Sequence, residues 1–346
     1  MFINLKIYMG VAIKEILTYD EIEISSIQNK KIAIDSFNML YQFLSSIRQA
    51  DGSHLTDSKG NITSHLKGLF NRLVYFKKNN IKAVFIFDGI APKLKEKERK
   101  LRLEKKISAD KKYQEALDLD LMEDARKYST STSRLENYMI EEAKKLISLF
   151  GFAIINAPSE AEAQGAELVK ESLVYASASQ DFDSLLFGAK YLIRNLSVSS
   201  KRKIPGTSMY KDTQIEFYDL EKNLKNLNIS NDELIIISIL CGTDFNPGGI
   251  KGIGPKKALK LVREFRDKWD VLFNSLDWYS YFPYTWLEVF NTFKKIPVEK
   301  NLSIENFPMK KEEIIDFLKE KDFDEIMLQR SLSSIKNIKT LDNFFS

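Results

Sequence analysis

An α/β fold with a mostly parallel central sheet flanked by helices follows from three features of the chain. KIAID at 31–35, the apolar run ending in Asp88 at 83–88 and LVYASAS at 173–179 are short and rich in β-formers, as buried strands are. Between them, Leu40, Phe43, Leu44 and Ile47 recur at helical spacing. Strand, helix, strand in that order calls for a parallel sheet. The third feature is bulk: 346 residues with 44% hydrophobic content supply the core of one large domain or two ordinary ones.

The elements read in order as a strand at 31–35, a helix at 36–48 and a strand at 83–88. From Pro92 to about Arg134 the chain turns charged and polar, ending in KYSTSTSR, which reads as a loop. Helix resumes over 135–149, FAII follows at 152–155, and Ser159 offers an N-cap to the helix SEAEAQGAELVK. LVYASAS then completes the sheet, with KRKIP at 201–205 and the run to about Asp219 as a hairpin or loop at its edge. Helices at 231–241 and 255–265 flank the turn GTDFNPGGIKGIG; the rest is helical and aromatic-rich until periodicity fades near 331. The expected units are a core in two parts (1–91 and 135–230), an insertion at 92–134, a two-helix unit at 231–268, a helical region at 269–330 and a flexible tail at 331–346.

Composition excludes several chemistries. Cys241 is the only cysteine, so there is no intrachain disulfide and no CxxC pair for zinc. His54 and His65 are the only histidines, which disfavours a histidine metal site or a Ser-His-Asp triad. MFINLKIYMG lacks the pattern of a signal peptide, and no apolar stretch approaches membrane-spanning length, so a soluble intracellular protein is expected. The net charge of +4 says little until its distribution is considered.

Seven carboxylates stand where strands or helices end: Asp35, Asp88, Glu160, Glu162, Asp181, Asp183 and Asp244. A lone Asp after a strand is more often a turn former or a helix cap, and GTDFNPGG taken alone could be an ordinary turn around Asp244. Seven reverse that weighing, because parallel strands deliver their C-terminal ends to one edge of a sheet. Carboxylates converging there repel unless cations neutralise them. Mg²⁺ takes one or two protein carboxylates plus water and phosphate, so seven suit a pair of ions stabilising both oxygens of an in-line phosphodiester displacement. Asp181 and Asp183 can serve one region only if the chain leaves extended geometry there, with Phe182 turned to the core.

Basic residues point the same way. Lys93 to Lys112 holds ten Lys/Arg against four Asp/Glu, and Lys95 and Arg102, seven apart, share a helical face that could meet successive phosphates. A solvated helix laced with Glu/Lys pairs is the plainer reading. In GIKGIGPKKA, Gly252 and Gly254 precede Pro255 at a helix start, leaving backbone N–H groups open to a phosphate, with Lys256 and Lys257 beside them. Lys251 to Lys268 carries seven bases against two acids, as suits a backbone-gripping element with little sequence preference.

In their order and spacing, IAIDSFN, FIFDG, APSEAEAQ, SQDFDSLLFG and LCGTDFNPGGIKGIGPKKA make the chain resemble the structure-specific 5′ nuclease superfamily, archaeal and eukaryotic flap endonucleases in particular, over roughly residues 10–265. The resemblance implies a PIN-like nuclease core, a helical gateway and cap (arch) at 92–134 and a helix-hairpin-helix-like DNA-binding unit. It implies Asp35, Asp88, Glu160 and Glu162 around one Mg²⁺ and Asp181, Asp183 and Asp244 around a second, with Mn²⁺ as a substitute. Lys95 and Arg102 match gateway residues that steer and activate the scissile phosphate; Tyr41 matches an aromatic that stacks on a base, or else is a core aromatic. TLDNFFS resembles a motif for a sliding clamp (PCNA), with Leu341, Phe344 and Phe345 as the plug and Ile338 where Gln is usual; a terminus packing on its own protein is the alternative. Family members begin Met-Gly-Val, here Met9-Gly10-Val11, so either the terminus is extended or translation starts at Met9.

The expected function is 5′ flap endonuclease with 5′–3′ exonuclease action on nicked or gapped duplex, serving Okazaki-fragment maturation and base-excision repair, in a monomer without membrane partners. Its place would be the nucleoid-associated cytoplasm if archaeal, which the short tail suggests, and the nucleus if eukaryotic. Alternatives are a relative acting on bubbles or gaps, a catalytically silent DNA-junction or clamp-binding module, and a ribonuclease of related fold.

Overall fold

The computed structural model describes residues 13–196, 201–203 and 210–335. Strand β2 (Lys31–Asp35) lies between β3 (Lys82–Phe87) and β5 (Ala176–Ala178), parallel to both. β4 (Ala153–Asn156) extends the sheet beyond β3 and β6 (Tyr191–Arg194) beyond β5, again in parallel. The sheet does not end there. β9 (Ile215–Asp219) pairs antiparallel with β6, and β1 (Asp20–Ile22) antiparallel with β9, giving seven strands in the order β1-β9-β6-β5-β2-β3-β4. IEFYD is therefore a half-buried strand inside the sheet rather than an edge loop: its residues alternate between core and partial exposure. β7 (Lys201–Lys203) and β8 (Tyr210–Asp212) form a separate two-stranded ladder.

Helices cover both faces. On one lie α1 (Ser36–Ser46), α2 (Ser64–Lys78) and α5 (Asn137–Leu149), joined by α13 (Lys311–Lys319) and α14 (Glu325–Ser333), around Phe70, Phe76, Phe85 and Phe150. On the other lie α6 (Ala161–Lys170), α7 (Asp183–Leu186), α8 (Leu220–Leu227), α9 (Asn231–Cys241), α10 (Pro255–Phe265), α11 (Trp269–Ser275) and α12 (Trp286–Lys295). β2, β3 and β5 are largely shut off from water on both faces, which is why their inner residues read as apolar runs, whereas β4 at the edge is only partly covered. α9 and α12 each open with a full capping box, Ser230 with Glu233 and Thr285 with Glu288.

The polar insertion is two packed helices, α3 (Glu96–Asp118) and α4 (Met122–Ser129). Only Glu98, Ala109 and Ala116 of α3 are buried, so this arch contributes almost nothing to either core. Lys127–Ser129, the start of the Ser/Thr run expected to be loop, ends α4; a loop follows to α5. After α12 the chain crosses from one face of the sheet to the other as an extended strap. Gln164 brackets Glu299 through both its amide atoms at 2.8 Å. Phe307 N–H then donates to Gly151 O (3.0 Å) and Lys310 N–H to Leu149 O (2.9 Å). A Cβ on Gly151 would lie 1.9 Å from Phe307 O, and its φ is +74°, so glycine is required where the strap passes.

α1 and α2 touch at Gly68, where an added Cβ would meet Phe43 Cγ at 2.3 Å. Ala is favoured over Gly in a helix by about 1 kcal/mol. Overpacking against the root of the Phe43 ring outweighs that gain, so Gly68→Ala is expected to lower stability by about 1–3 kcal/mol. Urea unfolding of the two proteins checks the sign; an increase in stability would show that the contact has slack.

Candidate metal centre and nucleic-acid interface

All seven carboxylates come to the C-terminal edge of the parallel strands, each by its own backbone device. Asp35 ends β2 and caps α1, its Oδ1 accepting from Asn38 N–H at 3.0 Å. Asp88 follows β3 and caps α6 from another part of the chain, accepting from Ala161 N–H at 2.6 Å. Ser159, the expected cap, instead donates its hydroxyl to Ile90 O (2.8 Å), and Glu160 occupies the N-cap position without a side-chain cap bond. Glu162 sits in the first turn of α6 and accepts from Ser179 Oγ at 2.8 Å. Asp181 lies in the turn after β5; its N–H donates to Ser179 Oγ (3.1 Å) and its Oδ2 accepts from Asn38 Nδ2 (3.0 Å). Asp183 opens α7, where the chain has left extended geometry, and Phe182 packs into the core against Tyr218, ring centroids 5.2 Å apart. Asp244 follows α9 in a turn held by buried Asn246, whose Oδ1 accepts from Thr243 N–H and Oγ1 and whose Nδ2 reaches Ile239 O.

Burial of so much like charge shifts proton affinities upward. Desolvation, then neighbouring carboxylates, raise Asp88 and Asp181 to about 7. Burial also lifts Asp35 to about 6 against its bond from Asn38. Burial first, then a neighbouring carboxylate, holds two more well above the usual range: Asp183 acts on Glu162, and Asp244 on Asp183. The opposing charge comes from the arch. Lys95 Nζ pairs with Glu160 and lies 3.2 Å from Asp244 Oδ2; burial works against its charge, but these two carboxylates outweigh it and hold the ammonium above its ordinary range. Arg102 NH2 is also 3.2 Å from Asp244 Oδ2, while its Nε pairs with Glu98. The face expected to meet phosphates is thus turned onto the carboxylates.

Among the described residues, no three side chains of His, Cys, Asp or Glu are closed to the spacing of a finished coordination shell; Lys95 lies between Glu160 and Asp244 instead. The donor set nonetheless suits a hard divalent cation. It is all carboxylate oxygen, partly charged only at a penalty, and Asp183 Oδ1 is buried with no hydrogen-bond partner.

Three supporting residues carry no sequence signal of their own. Asn38 and Ser179 are small polar residues that become visible only as links between carboxylates. Arg194 lies over the Phe182 ring (4.4 Å), donates to Gln180 O (2.9 Å) and pairs with Glu216 (2.9 Å), bracing the Asp181–Asp183 turn from the neighbouring strand. Tyr41, one turn beyond Asn38, is half-buried and lies beneath Lys106 of the arch (4.7 Å), so it belongs to neither hydrophobic core.

Away from the carboxylates, Pro255 opens α10 with Gly254 as N-cap. A Cβ on Gly252 or Gly254 would meet nothing within 4 Å, so the backbone there faces outward, and Gly252 has φ +81°. Lys256 and Lys257 are exposed beside it. Leu341, Phe344 and Phe345, with Ile338, lie outside the described residues, as do Met9, Gly10 and Val11. No helix among the described residues is long and apolar enough to cross a membrane.

Comparison with known proteins adds an independent line. The XPG N-terminal domain model matches residues 9–109 and the XPG I-region model residues 151–244. The chain is 52% identical over 259 residues to flap endonuclease 1 of Pyrococcus furiosus, covering 75% of this chain and 76% of that one. With flap endonuclease 1 of Aeropyrum pernix it shares 39% identity over 331 residues, 94% of each chain. The solved flap endonuclease-1 of Methanococcus jannaschii superposes with TM-score 0.72 at 40% identity, over 95% of this chain and 98% of that one.

The raised carboxyls give a testable linkage. Asp35, Asp88 and Asp181 keep their protons in the folded protein to values near 6 and 7, whereas an unfolded Asp titrates near about 3.9. Between those values the folded state binds more protons, so their contribution is present at low pH and lost as pH rises through the folded values. A divalent cation held by this cluster would need the ionised set. The rise in melting temperature on adding Ca²⁺ should therefore be small near about pH 5 and grow toward about pH 8. Thermal melts with Ca²⁺ or chelator across that range check it; a pH-independent cation effect would remove these carboxylates as the cation's seat.

Proposed function

Since the chain belongs to the flap endonuclease family of XPG-type nucleases, we propose that its seven converging carboxylates hold a pair of divalent cations, Mg²⁺ or in its place Mn²⁺, over which a 5′ flap junction is cut. The chain is a hydrolase of DNA phosphodiester bonds. The observation that carries the proposal is the union of five strand-end and helix-end stretches at one sheet edge, with Lys95 and Arg102 laid on Glu160 and Asp244 among them. Asp35, Asp88, Glu160 and Glu162 would hold one ion and Asp181, Asp183 and Asp244 the other. When bound, the pair offsets negative charge on the attacking and leaving oxygens of the displacement.

The rest is done by the chain's own groups. Lys95 and Arg102 are already charged and aimed at the cluster. A scissile phosphate entering there offers their N–H groups an alternative to Glu160 and Asp244, so they change partners without losing charge-assisted bonds. Tyr41 lies on the route between arch and carboxylates and presents a ring for a base beside the cut, where stacking is worth about 1–3 kcal/mol. The exposed backbone at Gly252 and Gly254, open where a Cβ would stand, with Lys256 and Lys257, would grip duplex phosphates away from the cut, so geometry rather than sequence sets the cleavage position. The arch would select free 5′ ends by admitting only single strand. The same reading gives 5′–3′ exonuclease action at nicks and gaps, a role in Okazaki-fragment maturation and base-excision repair, a monomer, and, from its archaeal relatives, a nucleoid-associated cytoplasmic location.

Single-turnover cleavage of a labelled double-flap DNA with Mg²⁺ tests this. Asp181→Ala should abolish release of the flap while keeping flap affinity in Ca²⁺. Lys95→Ala should slow the cleavage step by about 10²-fold or more while weakening binding less. Near-wild-type rates for Asp181→Ala would remove it from the mechanism. The C-terminal TLDNFFS, with Leu341, Phe344 and Phe345 as the apolar plug, is proposed to engage a sliding clamp. Deleting 338–346 should abolish stimulation by the clamp and leave unstimulated cleavage intact; undiminished stimulation would end that reading.

A further inference from the structure

Among the seven carboxylates runs a chain of neutral hydrogen bonds. Ser179 donates to Glu162 and receives the Asp181 N–H, and Asn38 donates from its backbone to Asp35 Oδ1 and from its side chain to Asp181 Oδ2, each at 3.0 Å. Asn38 therefore touches one carboxylate from each proposed ion's set. Lys95 also spans the sets, through Glu160 and Asp244, but as a cation it competes with a metal for the same oxygens. The amide does not compete. It carries no charge, and an ionised Asp181 can only accept, so the Nδ2 end of Asn38 faces it whether or not a cation is near.

We infer that Asn38 is a positioning residue that fixes the carboxylate planes of Asp35 and Asp181, holding one oxygen of each and turning the other toward the cluster. The inference rests on the proposed reading of the cluster as a cation site. Asn38 is well supported for the task. It lies in the first turn of α1, whose start is fixed by the Asp35 cap, and it lines the same narrow crevice as Asp35, Ser179 and Gln180. Partners of this kind, bonded to a ligand rather than to the metal, typically change affinity by about 10–100-fold when removed. Loss of the amide donor frees Asp181 to rotate and leaves one of its oxygens to find water. The backbone bond to Asp35 survives any substitution, so the effect should fall mainly on the Asp181 side.

The test separates the donor from the space it fills. Asn38→Leu keeps the branched outline, with more bulk, and removes the donor; Asn38→Ser loses volume and keeps a hydroxyl donor. Isothermal titration of the metal-free proteins with Mn²⁺ should show affinity lowered about 10–100-fold in Asn38→Leu and partly recovered in Asn38→Ser. Single-turnover flap cleavage by Asn38→Leu should recover toward the wild-type rate as Mg²⁺ is raised. Wild-type Mn²⁺ affinity in Asn38→Leu, or weaker binding by Asn38→Ser than by Asn38→Leu, would overturn the inference, the latter by making packing the cause. Should wild type itself bind no Mn²⁺, the cation-site reading fails, and the inference with it.

Discussion

Gathering negative charge in a place with little water is the constraint from which this molecule's architecture follows. Five of the seven carboxylates are pushed toward their neutral forms by burial, and nothing in a hydrophobic core could hold them there. What holds them is distributed. Helix starts contribute partial positive charge at Asp35, Glu160, Glu162 and Asp183. Asp88 stitches the end of one strand to the start of a helix far along the chain. A parallel sheet suits this arrangement because it brings strand ends, and the helix starts that follow them, to one edge.

The arch and the α10 unit are the cationic counterparts of that edge, and they are built differently. α10 packs through Ala258 and Val262 against the same core as α9, so the glycine turn before it has a rigid seat. The arch has no such seat. Its attachment near the site is Lys95 and Arg102 on the carboxylates and Lys106 over Tyr41, all contacts that change with the charge beneath them. A segment with few buried apolar contacts takes its position from electrostatics and stands at the low end of local stability.

Much of this was legible in the sequence because strands buried on both faces announce themselves. β2 and β3 carry apolar runs that lead straight into Asp35 and Asp88, and β5 is small and buried just before Asp181, so fold and candidate ligands appear together. β6 and β9 were harder. IEFYD is half-exposed and its partner YLIR is four residues long, so the sheet seemed finished two strands too early. Ser159 has the right residue type and position for a cap, but Asp88 takes that N–H from across the fold, a contact that no local pattern records. Asn38, Ser179 and Arg194 escaped for a related reason: an amide, a hydroxyl and a guanidinium acquire meaning only from what they touch after folding.

The strap that crosses from α12 to α13 also bears on how the chain is made. One face of the sheet owes Ile314, Phe317, Leu318, Leu328 and Leu332 of its core to residues beyond the strap, with α13 packed on α5. A ribosome delivers those side chains after every strand of the sheet. The layer built by α1, α2 and α5 must therefore wait, partly uncovered, until α13 and α14 have emerged, and only then be covered by the segment that passes Gly151. Arrival of α14, rather than of the last carboxylate at Asp244, is the event that closes this face of the fold.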